Sequence, residues 1–127
     1  MMIEVGIEAG FEASHALRGD FGPASEPHSH RYRVCAVFSG QALGPEGFLV
    51  DIALVEGALR SVSSRLEGRC LNDLEPFTVL NPTAEGLGLY VWEELERGLK
   101  GLLPRGVSLG EVTVWESPQA FARIKLA

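Results

Sequence analysis

Near its start the chain reads Ile3-Glu4-Val5-Gly6-Ile7-Glu8-Ala9-Gly10-Phe11-Glu12, in which apolar residues alternate with glutamate or glycine. Successive side chains of a strand point to opposite faces of a sheet, so this pattern predicts a strand with one buried face. The alternation returns from His30 to Phe38, which predicts a second strand. Two last alternating runs, Val112 to Glu116 and Ala120 to Leu126, are separated by Ser117-Pro118-Gln119 and predict a hairpin.

Two amphipathic helical patterns lie between these pairs of strands. The first is predicted to begin after a cap at Asp51 and to end near Gly68. The second is predicted to have Asn81 as its cap and Pro82 in its first turn, and to run to Pro104. Apolar residues recur at helical spacing in both patterns: Ile52, Val55, Leu59, Val62 and Leu66, then Leu87, Val91, Leu95, Leu99 and Leu102. The second helix also holds three glycines, each of which weakens a helix by up to about 1 kcal/mol relative to alanine: Gly86, Gly88 and Gly98.

The order strand, strand, helix, helix, strand, strand predicts a fold of the α+β class, formed by one domain over residues 1–127. Hairpin-connected strands with the helices grouped between them indicate a four-stranded antiparallel sheet with both helices on one face. The helix-free face must be covered, and the association of subunits is the simplest way to cover it.

Composition restricts the partners and the compartment. The chain has 127 residues, 46% of them hydrophobic, and a net charge of −6 without a basic cluster, which argues against nucleic-acid binding. No apolar run approaches the roughly 20 residues of a membrane span, and Met1-Met2-Ile3-Glu4 does not resemble a signal peptide. We therefore expect a cytoplasmic protein with no membrane partner, in which Cys35 and Cys70 are free thiols.

All three histidines lie within sixteen positions, at the end of the first strand and the start of the second: His15, His28 and His30. Residues two apart on a strand share a face, and a hairpin would bring His15 beside the other two. Three neutral imidazoles leave one tetrahedral position open, which is the arrangement of catalytic zinc. The alternative is that these are loop histidines with ordinary hydrogen bonds.

Two glutamates lie at unusual positions. Glu116 continues the apolar face of Val112 and Val114, where an unpaired carboxylate would be costly to bury. If the strand ends at Trp115, Glu116 is instead a solvated turn residue. Glu85 fits the first turn of a helix, where a negative charge complements the helix dipole.

Six ordered segments resemble the 6-pyruvoyltetrahydropterin synthase family, which includes the 6-carboxytetrahydropterin synthases of queuosine biosynthesis. The segments span nearly the whole chain: Phe11-Glu12-Ala13-Ser14-His15, Pro27-His28-Ser29-His30-Arg31-Tyr32-Arg33-Val34, Gly47-Phe48-Leu49-Val50-Asp51, Leu71-Asn72-Asp73, Asn81-Pro82-Thr83-Ala84-Glu85 and Val114-Trp115-Glu116-Ser117.

The resemblance implies a tunnelling fold, in which trimers close a twelve-stranded barrel and two trimers stack into a homohexamer with pterin sites between subunits. It implies that the three histidines bind Zn²⁺. It also implies that Glu116 grips the pterin ring by accepting two N–H bonds from the aminopyrimidine edge. Thr83 and Glu85 match the family segment that lines the pterin pocket.

The chain departs from the family where proton transfer is expected. The family cysteine four residues before the first histidine of its His-Gly-His is here Ala24, and the glycine of that motif is Ser29. The family Asp-His pair falls at Glu67-Gly68. The thiol and the imidazole that move protons about the substrate side chain are therefore both missing.

Two residues are candidates to replace the missing groups. Glu26 lies two residues before His28, and family members that act in folate synthesis use a glutamate near this position, one residue further from the histidines. A carboxylate can abstract a proton from a group polarised by zinc if desolvation raises its pKa. Glu26 is alternatively a solvated loop acid. Cys70 is either a displaced thiol or a small core residue.

The resemblance thus predicts a zinc-dependent lyase that acts on 7,8-dihydroneopterin triphosphate or a close pterin, with Glu26 as catalytic base. The alternative is a pterin-binding or structural homologue with little catalysis.

Overall fold

The computed structural model describes the whole chain, Met1–Ala127, as four strands, two helices and short 3-10 turns. In chain order the elements are β1 (Ile3–His15), β2 (His28–Gly40), α1 (Ile52–Leu66), α2 (Ala84–Leu99), β3 (Ser108–Ser117) and β4 (Ala120–Lys125). The strands form one antiparallel sheet in the order β1-β2-β3-β4. The predicted α+β architecture is confirmed.

The first hairpin is longer at its open end than the alternation predicts. Pairing continues past Phe11 opposite Tyr32 to His15 opposite His28. The connection between β1 and β2 is therefore shorter than the gap between the two alternating runs, and it contains a 3-10 turn at Gly22–Ser25. As a result, two of the three histidines face each other across a strand pair.

The two helices pack on one face of the sheet and enclose a core of 21 buried residues. Phe11 and Tyr32 stack within this core, with ring centroids 5.1 Å apart. Asp51 caps α1 by accepting a hydrogen bond from the Ala53 amide, as predicted. Neither helix has the length and hydropathy that crossing a bilayer requires.

The start of α2 differs from the prediction. Thr83, and not Asn81, is the cap, and its hydroxyl accepts a hydrogen bond from the Gly86 amide at 3.0 Å. The Asn81 side chain bonds instead to the backbone of Arg18, in the loop between β1 and β2. The helix also ends at Leu99, so the predicted stripe residue Leu102 lies beyond it and is exposed.

The helix-free face carries charges of opposite sign on the two edge strands. Glu4, Glu8 and Glu12 alternate along β1, whereas Arg123 and Lys125 lie on β4. The ladder pairing places all of these residues on the side of the sheet that the helices leave open. Cys35 lies on the same face and is a free thiol, as is Cys70.

Candidate metal centre and substrate site

The structure brings the three histidines together at the open end of the first hairpin. One ring nitrogen from each of His15, His28 and His30 can be chosen so that all three lie within 4.8 Å of one another. The Nε2 atoms of His15 and His28 are only 3.0 Å apart. His15 is buried, whereas His28 and His30 are half-buried, so the cluster opens to the surface on one side.

Backbone carbonyls set the orientation of two of these rings. The Nδ1 atom of His15 lies 2.7 Å from the carbonyl oxygen of Pro82, and Nδ1 of His28 lies 2.7 Å from that of Glu26. A carbonyl can only accept, so each Nδ1 carries the proton and donates it. In the neutral imidazoles both Nε2 atoms therefore present lone pairs to the centre of the cluster.

Two asparagine side chains fix the backbone that follows His15. The side-chain oxygen of Asn72 accepts a hydrogen bond from the Ala16 N–H at 2.9 Å, and its side-chain NH₂ donates to the Ala16 carbonyl at 2.8 Å. Asn81 makes the same pair of bonds with Arg18, at 2.7 and 3.0 Å. Both asparagines belong to the motifs identified in the sequence, but their positioning role could not be predicted. The hydrogen bonds of each asparagine join segments that are distant along the chain.

Glu116 lies beside the histidines rather than in the core or in free solvent. Its Oε1 atom is 3.4 Å from Nε2 of His30 and 3.5 Å from Nε2 of His15, and its side chain is 30% exposed. An irregularity in the β3–β4 ladder between Trp115 and Ser117 interrupts the alternation at this residue. The bulge therefore explains why neither of the two sequence interpretations of Glu116 describes it fully.

Tyr32 closes the buried side of the cluster. Its hydroxyl lies 3.4 Å from Nδ1 of His15, and its ring meets that of His30 edge-on at 5.5 Å. Burial and the nearby Glu116 charge both raise the pKa of Tyr32, so it stays neutral. Burial lowers the pKa of His30 below its usual value, more than Glu116 raises it, which favours the neutral imidazole that a metal needs.

The other predicted site residues lie around this centre at different depths. Glu85 and Glu116 both line an open depression of about 300 Å³ at the β4 edge, together with Phe121 and Arg123. The Thr83 hydroxyl caps α2 near this point. Glu26 contributes its backbone carbonyl to the orientation of His28, but its side chain is exposed. The structure therefore does not show the desolvation that a carboxylate base requires.

The positions where the family groups are missing have structural roles. The Glu67 carboxylate accepts a hydrogen bond from the Glu12 amide at 2.9 Å, and Gly68, with φ of 73°, donates to the Glu12 carbonyl. Ala24 accepts from the amide of Leu17. Cys70 is half-buried and lies outside the main core, with its backbone bridged to Ser14.

The donor set fits a divalent metal ion of the zinc type. Two lone pairs that face each other at 3.0 Å repel unless a proton or a metal ion lies between them. Imidazole nitrogens suit zinc, and backbone carbonyls that hold the outer ring nitrogens are the usual second layer of such a site. His15, His28 and His30 would hold the ion.

Comparison with known proteins gives a consistent result. The family description "6-pyruvoyl tetrahydropterin synthase" matches residues 4–126. The 6-pyruvoyl tetrahydropterin synthase of Caenorhabditis elegans is 23% identical and superposes with a TM-score of 0.87, covering 100% of this chain and 97% of its own. The Plasmodium vivax 6-pyruvoyltetrahydropterin synthase is 22% identical, with a TM-score of 0.80 and coverage of 98% and 97%. Two of the Plasmodium vivax structures carry alanine or cysteine in place of a glutamate described as a catalytic residue.

Proposed function

Because the chain belongs to the 6-pyruvoyl tetrahydropterin synthase family, we propose that it is a zinc-dependent lyase that acts on 7,8-dihydroneopterin triphosphate or a closely related pterin. The observation that carries this proposal is the convergence of His15, His28 and His30: one ring nitrogen of each lies within 4.8 Å of the others, and the Nε2 lone pairs of His15 and His28 are directed at the centre.

Zinc bound by the three histidines would polarise oxygens of the substrate side chain and make the neighbouring C–H and O–H groups more acidic. The chain must then supply a pterin anchor and a base. Glu116 is the anchor in this proposal, because its two carboxylate oxygens match the two N–H donors of an aminopyrimidine edge. The pterin ring would also be contacted from the side by two residues near the start of α2. These are Glu85, which lines the same depression, and Thr83, which caps the helix.

Glu26 is the proposed catalytic base. The bond from His28 to its carbonyl holds its backbone beside the cluster, and a catalytic glutamate is described for the Plasmodium vivax relative. Since the Glu26 side chain is exposed in the isolated chain, its desolvation must come from substrate or from a neighbouring subunit.

The proposal includes assembly into a homohexamer built from two trimers. The two edge strands of the sheet have opposite charges, with glutamates along β1 and Arg123 and Lys125 on β4. Opposite charges favour pairing of the β4 edge of one copy with the β1 edge of the next, and a head-to-tail contact of this kind forms a ring when the rotation between copies closes. The depression beside Glu116 is open at the β4 edge, so a neighbouring copy would complete it.

A second candidate function is pterin binding with little catalysis. Two observations favour it. Ala24 has no thiol, and Glu67 and Gly68 form hydrogen bonds with the backbone of Glu12 in β1 rather than contacting the histidine cluster. In this case the zinc and the pterin anchor would remain without a means of proton transfer.

Turnover separates the two functions. Zinc-loaded protein is incubated with dihydroneopterin triphosphate, with and without acetaldehyde, and the products are identified by mass spectrometry. A new pterin product that is absent from the metal-free control supports the lyase. Binding of the pterin without any product supports the second function, and the absence of both binding and turnover contradicts both.

A further inference from the structure

The segment 67–70, which follows α1, lies along the outer edge of β1. Its first two residues form hydrogen bonds with the backbone of Glu12. The carbonyl of Arg69 then accepts a hydrogen bond from the Ser14 amide at 3.0 Å. The segment therefore occupies the β1 edge beside residues 12–14, and the edge that precedes them remains open to a further strand.

In the proposed ring, the β4 edge of one copy pairs with this open stretch of the next copy's β1. Strand direction alternates across the sheet, so a rotation axis along the strands places β4 antiparallel to the neighbouring β1. The start of β4 at Ala120 then lies near the end of the open stretch, where the neighbour's segment 67–70 begins. This segment is thereby brought beside the depression that Glu85 and Glu116 line.

The depression itself has little positive charge to offer an anion. Glu85 and Glu116 are both carboxylates. Arg123 is the one cation among the lining residues, and its Nε atom donates to the Thr113 hydroxyl at 3.1 Å and lies 3.5 Å from the Glu111 carboxylate. The phosphates of the proposed substrate therefore need a cation from elsewhere.

Arg69 is a cation without an ion partner in its own chain. Its side chain is exposed and takes part in none of the salt bridges. By contrast, the guanidinium of Arg18, in the loop after β1, donates to the carbonyls of Phe77 and Leu80 at 2.7 and 3.0 Å. The alternative role for Arg69 is to complement the dipole at the end of α1, which would contribute to stability only.

We propose that Arg69 of one copy binds the phosphate groups of the substrate whose pterin ring lies in the depression of the neighbouring copy. The inference rests on the proposed function and its assembly, and it adds a residue that recognises phosphate. A guanidinium matches phosphate oxygens through paired, charge-assisted hydrogen bonds. One copy then recognises the pterin ring and the next recognises the phosphates, so a pterin without phosphates binds without Arg69.

Two ligands that differ only in their phosphates test this role. Neopterin and neopterin triphosphate are titrated by fluorescence into wild type, Arg69→Gln and Arg69→Lys, with Arg60→Gln, an exposed neutralisation on α1, as the control. We expect Arg69→Gln to weaken triphosphate binding by at least about tenfold and to leave neopterin affinity within about twofold, because only the charge-assisted bonds are lost. Arg69→Lys should retain part of the difference, since it keeps the charge but not the paired geometry.

The remaining outcomes separate this inference from the proposed function. Equal affinities in wild type and Arg69→Gln, or an equal loss of both ligands, would overturn the phosphate contact. If neopterin does not bind to the wild type, the pterin anchor is wrong. Tripolyphosphate, titrated by calorimetry into wild type and Arg69→Gln, then still decides the phosphate contact, and equal affinities would overturn it.

Mixed assemblies test whether the two groups come from different copies. Arg69→Glu and Glu116→Gln should each bind neopterin triphosphate weakly when alone. Co-expressed in equal amounts, they form rings in which about a quarter of the sites combine native Glu116 of one copy with native Arg69 of the next. Those sites should bind the triphosphate with wild-type affinity. No recovery in assemblies that light scattering shows to be intact would overturn the inference, as would a wild type that is a monomer.

Discussion

His15 and His28 face each other across the first hairpin, with their Nε2 atoms 3.0 Å apart and their Nδ1 protons donated to backbone carbonyls. Direct strand pairing fixes this separation, and the two carbonyls fix which nitrogen of each ring points inward. The arrangement of these two imidazoles therefore follows from the hairpin pairing and from two backbone carbonyls.

The first prediction concerns metal content. Purified wild-type protein should contain about one zinc per chain, and His28→Ala should lose it, because two imidazoles alone hold zinc poorly. Ser29→Ala is the matched control, since Ser29 lies between the two histidines but is exposed. Elemental analysis of both variants checks this. Low metal in the wild type that His28→Ala does not change would contradict the site.

The second prediction concerns the pterin anchor. Glu116→Gln should weaken neopterin binding by about tenfold or more, because charge-assisted hydrogen bonds contribute about 1.5–3 kcal/mol each. Fluorescence titration of metal-free and metal-loaded protein measures the affinity, with Glu56→Gln as the control for a lost surface charge. Full affinity in the Glu116 variant would show that the pterin edge binds elsewhere.

The third prediction separates binding from chemistry at Glu26. If this residue is the base, Glu26→Gln should leave pterin affinity within a few-fold of wild type and lower turnover by about 10²–10⁴. Its side chain is exposed and its backbone carbonyl, which orients His28, is unchanged by the substitution. Metal content therefore provides the control, and it should stay at the wild-type level. Unchanged turnover would identify Glu26 as a solvated loop acid.

Much of the fold follows from side-chain periodicity, because one sheet with one covered face leaves a clear alternation. The four strands, the two helices, the Asp51 cap and the closeness of the three histidines were all predicted in this way. The cap of α2 was not, because Asn81 and Thr83 are both good caps and only the tertiary contact of Asn81 with Arg18 decides between them.

The geometry of the site depends on features that periodicity does not encode. The orientation of Glu116 depends on a bulge, which has no marker in the run Trp115-Glu116-Ser117. The tautomers of His15 and His28 depend on carbonyls of Pro82 and Glu26, which any residue could supply. Sequence reasoning could therefore name the site residues but not the contacts between them.

The fourth prediction concerns two glycines of α2 that sequence alone cannot distinguish. An added Cβ at Gly88 would lie 2.9 Å from Cγ1 of Ile124, whereas one at Gly98 would meet nothing within 4 Å. Gly98→Ala should raise the free energy of unfolding by up to about 1 kcal/mol. Gly88→Ala gains the same helix propensity but overpacks the contact of α2 with β4, so the two variants should differ by about 1–3 kcal/mol.

Chemical denaturation of the two glycine variants measures that difference. Equal stabilisation by both substitutions would mean that α2 does not approach β4 as closely as the structure shows.

The last prediction concerns assembly, for which the charges of the two sheet edges provide the test. Light scattering at micromolar concentration should show a trimer or a hexamer. Lys125→Glu should weaken the assembly by placing a negative charge opposite the glutamates of a neighbouring β1, and the added substitution Glu4→Lys should restore part of it. Arg60→Glu, an exposed reversal on α1, controls for net charge. Because the depression beside Glu116 is open at the β4 edge, dissociation should also reduce neopterin affinity. A stable wild-type monomer that binds neopterin with full affinity would contradict both the ring and the shared pocket.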